Sequence, residues 1–267
     1  MLFSGVSSFI NGFREDFTGS LITFAYLAVV ILLSLIIHEC AHGWVALKCG
    51  DPTAKWMGRL TLDPRKHLDP IGTICMVFLR FGWAKPVPVN PNNFRNYRRD
   101  YILVSLAGIV TNLFLCIFSI FVSAILAHIM WPKDFVSYFS QITGRKDLFL
   151  NIYWNGPAGT VMDGDFITYG VFAEQNVLLY VQRFFLMLAQ MNLALAIFNL
   201  LPVPPLDGYR VMDQFVFKGQ LSLTPQMMQY IRIGFLVVLL SGMLNGLLTT
   251  LNSTVFGWLS QLFAILI

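Results

Sequence analysis

No charged side chain falls between Asp16 and Glu39, and the stretch Leu21–Leu47 is apolar almost to its end. This run constrains the fold more than any other feature of the chain. As a helix its 27 residues would reach roughly 40 Å, beyond the ~30 Å hydrocarbon core of a bilayer. The remainder agrees with a membrane setting: 56% of the residues are hydrophobic, only 12% are charged, and mean hydropathy is +0.66. A soluble domain of this size carries about twice that charged fraction. The expected fold class is an all-α polytopic membrane protein, a bundle of four or five transmembrane helices. A short strand-like or re-entrant segment is expected after the first span.

The first span ends in Ile36-Ile37-His38-Glu39-Cys40-Ala41-His42-Gly43. Residues four apart on a helix share a face one turn above each other, so His38 and His42 can grip one metal ion. Glu39, on the adjacent turn, is placed to take a proton from a water at that metal. This is the H-E-x-x-H pattern of zinc metalloproteases. Two histidines and a glutamate at the end of a bilayer-spanning run are costly to bury, which favours a functional role over core packing. Cys40 points away from both histidines and reads as a small filler. The cysteines, Cys40, Cys49, Cys75 and Cys116, form no C-x-x-C pair, so neither a disulfide framework nor a cysteine metal site is expected.

Charge orders the rest. Residues 48–100 hold ten of the eighteen Lys/Arg: Lys48, Lys55, Arg59, Arg65, Lys66, Arg80, Lys85, Arg95, Arg98 and Arg99. The positive-inside rule places this segment, with 206–230, in the cytoplasm. The acidic stretch 131–175 falls outside. No Lys/Arg-rich run with interleaved aromatics suggests a nucleic-acid partner. Residues 1–20 have helically spaced aromatics and read as an interfacial amphipathic segment. No basic region followed by a short apolar core opens the chain, so a cleavable signal peptide is not expected.

Residues 21–248 then form the core and 249–267 a C-terminal apolar segment that is either a tilted span or an external piece. Ile71–Ala84 is too short to span, and Lys85-Pro-Val-Pro-Val-Asn-Pro91 excludes helix, so 71–90 is expected as strands or a re-entrant hairpin. A second span runs over Tyr101–Ile129 and carries Gly108 and Asn112 on one face. Gly108 suits close packing; Asn112, a lone amide in hydrocarbon, is a candidate to line the site. The third span, Val177–Leu201, breaks at Asn199-Leu-Leu-Pro-Val-Pro-Pro-Leu-Asp207-Gly208. Asp207 is either an ordinary Asp-Gly turn or, paired with the two histidines, a third oxygen ligand. A fourth span is expected over Gln229–Leu248.

The three motifs together resemble the site-2 protease family of intramembrane zinc metalloproteases, in its compact prokaryotic branch without PDZ or CBS domain. They are His38-Glu-Cys-Ala-His42, Ala107-Gly-Ile-Val-Thr-Asn112 and Asn199 through Gly208, with Trp83-Ala-Lys-Pro-Val-Pro-Val-Asn-Pro91 beside them. The resemblance implies one Zn²⁺ held by His38, His42 and Asp207, with Glu39 as catalytic base. It also implies a bacterial plasma-membrane setting and a transmembrane-helix protein as substrate. Asn112 and Asn199 are candidates to hold substrate. The family often has Gly-Pro where this chain has Gly108-Ile109. A metal or solute transporter and a catalytically inactive membrane scaffold are the rival readings. The first would want polar residues continuing to the outer face, and the second the loss of Glu39 or a ligand. Oligomeric state is not legible.

Overall fold

A computed structural model describes residues 17–69, 72, 84–131, 136–137, 140–141, 177–220 and 223–266. Among these residues the architecture is helical. A single antiparallel β-bridge, Leu68 to Ala84, is the only ladder contact among them. Long helices are α1 (Phe17–Cys49), α4 (Tyr97–Met130) and α5 (Val177–Asn199); short ones are α2 (Thr53–Trp56) and α3 (Pro64–His67). After α5 come α6 (Asp207–Phe215), α7 (Pro225–Ser241) and α8 (Asn245–Phe263).

Among the described residues three helices are long and apolar enough to cross a membrane: Leu21–Cys49, Tyr97–Met130 and Val177–Asn199. These are the first three spans expected from the sequence, each with slightly moved ends. α4 shows why such a helix suits lipid. Val110, Ile117, Phe121, Ile125 and Ile129 are exposed at helical spacing, while Ala107, Cys116, Ile120, Ala124 and Ala127 are buried. The outer stripe is large and apolar, and the inner one is mostly small, with Ile120 as its one large side chain, which lets helices approach.

The span expected over Gln229–Leu248 is not one helix. α7 stops at Ser241 because Gly242 takes the left-handed conformation (φ 79°), which ends a helix at no side-chain cost. α8 starts at Asn245 and absorbs most of the expected C-terminal segment. The expected strand-like stretch 71–90 lies outside the described residues up to 83, residue 72 apart. From 84 to 90 the chain is neither helix nor paired strand beyond the one bridge.

The chain divides into two compact units. One draws on Met1–Leu113 and Ala194–Thr250, the other on Phe114–Leu193 and Leu251–Ile267. The first contains every candidate site residue. In the second, buried Gln182 donates from Nε2 to the Ser123 carbonyl at 3.3 Å, and Phe121 meets Phe263 edge-on.

Candidate active site

Helix α1 puts His38 and His42 one turn apart, and their Nε2 atoms lie 3.1 Å from each other. Asp207, in the first turn of α6, brings Oδ2 to 3.3 Å from His38 Nε2 and 3.1 Å from His42 Nε2. Among the described residues these three form the group of His, Cys, Asp or Glu able to hold a metal ion, and all three are buried.

Two glycines make this convergence possible. A Cβ at Gly108 would stand 2.4 Å from His38 Cε1 and 2.6 Å from both Nε2 atoms. The α4 backbone therefore passes directly over the histidine pair. A Cβ at Gly208 would stand 2.3 Å from the Leu200 carbonyl oxygen, so Asp207 is delivered by a chain folded tightly on itself. Arg98, at the start of α4, donates from Nε to the Gln214 carbonyl at 3.0 Å and so ties down the far end of α6.

The three donor atoms suit zinc. Ligands about 2.0–2.1 Å from a tetrahedral ion lie roughly 3.3 Å apart. Here the separations are 3.1, 3.1 and 3.3 Å. Asp207 Oδ2 is buried and has no hydrogen-bond partner of its own, the condition of a ligand atom facing its ion.

The outer ring nitrogens are also occupied. His42 Nδ1 donates to the Val104 carbonyl at 2.7 Å, leaving the Nε2 lone pair for a metal. His38 Nδ1 lies 3.1 Å from Asn112 Nδ2, and Asn112 Oδ1 is buried without a partner. A His38 that ligates through Nε2 carries its proton on Nδ1, and only an amide oxygen can accept it. With its amide turned over, Oδ1 toward the ring, Asn112 would accept that proton.

Glu39 leaves the ligand set and turns to the segment after Ala84: its Oε2 accepts from the Val87 N–H at 2.8 Å. A cavity of about 260 Å³ joins these groups and is lined by both histidines, Glu39, Asp207, Val87, Val89, Tyr101, Asn199 and Arg210 among others. Asn199 reaches its rim while its amide donates back to the Leu195 carbonyl at 3.0 Å. Asn112 is fully buried beneath His38 and is not part of the lining. Asp207 also has a basic neighbour: Arg210 Nη1 lies 3.8 Å from Oδ1, one helical turn on. The Val104 carbonyl and the Val87 N–H are backbone groups, which no side-chain pattern announces.

Comparison with known proteins agrees with this geometry. Residues 26–241 match the family model of peptidase family M50. The chain belongs to that family, the site-2 proteases, and is a zinc metalloprotease of membranes. It is 38% identical over 213 residues to the protein named as zinc metalloprotease YwhC in Bacillus subtilis (strain 168), covering 80% of this chain and 79% of that one. It is 28% identical over 222 residues to the protein named as zinc metalloprotease Rip2 in Mycobacterium tuberculosis (strain ATCC 25618 / H37Rv), covering 80% of this chain and 66% of that one. No solved structure matches.

Proposed function

We propose that this protein hydrolyses peptide bonds in or beside transmembrane helices of membrane proteins, in a bacterial plasma membrane. His38, His42 and Asp207 hold the zinc, and Glu39 is the general base. The observation that carries this reading is the triangle of three buried ligand atoms, with a carboxylate one residue from the first ligand and a cavity opening onto all of them.

The chemistry zinc supplies when bound is acidification of a water and polarisation of a carbonyl. Glu39 takes the proton from the attacking water and returns it to the departing nitrogen. Val104 and Asn112 keep the two imidazoles in the tautomer that offers Nε2. Arg210 and Asn199 face the cavity, where a guanidinium and an amide can donate to a substrate carbonyl.

A helical substrate hides its peptide bonds in its own hydrogen bonds and must unwind to be cut. The segment 84–90 borders the cavity, and Val89 N–H has no partner among the described residues. An unwound substrate strand can pair there by backbone addition. Residues 48–100 and 206–230 face the cytoplasm in this reading. α7 and α8, shorter than the three long spans, supply whatever further crossing the chain makes.

Zinc analysis of two purified variants tests the assignment. Asp207→Ala should lose its zinc, because two imidazoles alone bind weakly. Glu39→Gln should keep it and lose cleavage of a reporter helix by about 10²–10⁴-fold. Zinc retained by Asp207→Ala would move the third ligand elsewhere, and cleavage by Glu39→Gln would end the base assignment.

A further inference from the structure

Six residues beside the cavity, Lys85-Pro-Val-Pro-Val-Asn90, have few backbone donors, because Pro86 and Pro88 have none. Four of their backbone groups are nonetheless engaged by charged side chains distant in sequence. Arg59 donates from a single nitrogen, Nη2, to the Lys85 carbonyl at 2.8 Å and the Pro86 carbonyl at 3.2 Å. Asp51 accepts from the Asn90 N–H at 2.7 Å and from Asn93 Nδ2 at 2.8 Å. Between these two grips, Val87 N–H meets Glu39. The segment lies directly on α1, since a Cβ at Gly43, one turn beyond Glu39, would stand 2.9 Å from Val87 Cγ1.

Arg59 is 9% exposed and Asp51 0%. Buried charges are costly unless strong hydrogen bonds meet them: Arg59 Nη2 meets this stretch with two, and Asp51 gives it one oxygen while its other oxygen accepts from Thr53 and Asn93. The stretch so held presents one N–H to the carboxylate that must accept a proton. A glutamate turns freely about its last torsion, and a base works only within hydrogen-bond reach of its proton. Anchoring Oε2 removes that freedom and leaves Oε1 to do the chemistry.

We propose that Arg59 and Asp51 are positioning residues for proteolysis, holding segment 85–90 so that the Val87 N–H aims the Glu39 carboxylate. The proposal rests on Glu39 being the base. It assigns the basic connector after the first span a part in the reaction beyond topology.

The test uses the full chain in detergent with a reporter helix, reading zinc content, kcat and KM for Arg59→Met, Arg59→Lys and Val87→Pro. Loss of a group that supports an active-site residue typically costs about 10–100-fold. Arg59→Met and Val87→Pro should lower kcat by about that factor, with KM within about threefold and full zinc. Arg59→Lys should stay within about threefold of wild type, because one ammonium can make both bonds that Nη2 makes. A risen KM with kcat intact would mean the segment serves substrate alone, and would overturn the proposal. So would kcat at the wild-type level in Val87→Pro, or Arg59→Lys as slow as Arg59→Met. If Arg59→Met does not fold, Val87→Pro and Arg59→Lys decide by the same kcat criteria. Wild-type speed in Glu39→Gln would instead overturn the base assignment beneath it, a result the other variants cannot mimic.

Discussion

Two proline-rich stretches border the cavity, and they are built in opposite ways. Asn199–Leu206 holds itself. Leu200 N–H bonds the Ala196 carbonyl, Leu201 N–H that of Phe198, Val203 N–H that of Leu201 and Leu206 N–H that of Val203. The result is a run of turns that ends one helix and starts another with Asp207 in its first turn. Lys85–Asn90 has the same alternation of proline with apolar residues but no such bonds within itself. Its bonds go out to Glu39, Asp51, Arg59 and the His67 carbonyl. Proline spacing alone therefore does not decide whether a stretch coils or lies open. What decides is whether the surroundings supply partners. The self-held loop suits a ligand whose place must not vary, and the externally held one can keep an N–H free for something that comes and goes.

If that contrast is right, the self-held loop breaks from within. Gly208→Ala would force a Cβ to 2.3 Å from the Leu200 carbonyl oxygen and 2.7 Å from that of Leu201. Both are backbone atoms, which cannot swing aside. Asp207 should leave the triangle, zinc should be lost, and cleavage should fall by more than the ~10–100-fold of a supporting-group loss. Gly43→Ala, on the other side, meets Leu60 Cδ2 at 2.6 Å and Val87 Cγ1 at 2.9 Å, both side-chain ends that can turn. It should keep its zinc. Equal zinc in the two variants would erase the distinction.

A middle-sized effect separates two neighbouring donors of the open segment. Val87 N–H is committed to Glu39, whereas Val89 N–H has no partner among the described residues. Val89→Pro removes a donor the resting enzyme does not use, so zinc, fold and kcat should stay near wild type. If substrate pairs at this edge, KM should rise about tenfold, the worth of one lost hydrogen bond near 1–1.5 kcal/mol. An unchanged KM would make the segment a support for the base and nothing more.

These distinctions also mark what was legible beforehand. His38, Glu39 and His42 stand out because helical spacing and the cost of polar groups in a span both point to them. Asp207 stands out only in their company. The spans read well where apolar runs are long, and failed at Gly242, where a left-handed glycine inside an apolar run divides what looked continuous. Gly108 was read as packing, yet what it packs against is the histidine pair. Arg59 and Asp51 gave no signal, being ordinary charges in a basic connector, because their partners are backbone groups 26 and 39 positions away. Long-range bonds to main chain leave no pattern in one sequence.

The smallest effect concerns Asp51, and it tests whether the open segment depends on outside charge. Asp51 lies just beyond the first span and is fully buried. Burial raises its pKa, but hydrogen bonds from Thr53, Asn93 and Asn90 outweigh burial and lower it below the ordinary value. A depressed folded pKa contributes stability that is present above the unfolded value, about 3.9, and lost as pH falls through the folded one. Asp51→Asn keeps the size but turns an NH₂ toward at least one of those donors. It should cost about 1–3 kcal/mol at pH 7, the range for a buried donor left unsatisfied. The gap between wild type and variant should then narrow as pH falls from the unfolded value, about 3.9, toward the lower pKa of folded Asp51. Thermal midpoints of the two proteins in detergent, compared at pH 7 and pH 3, measure this directly. A gap between the two midpoints that stays constant down to pH 3 would mean the Asp51 charge does not hold the segment, which would then rest on Arg59, Glu39 and the His67 carbonyl.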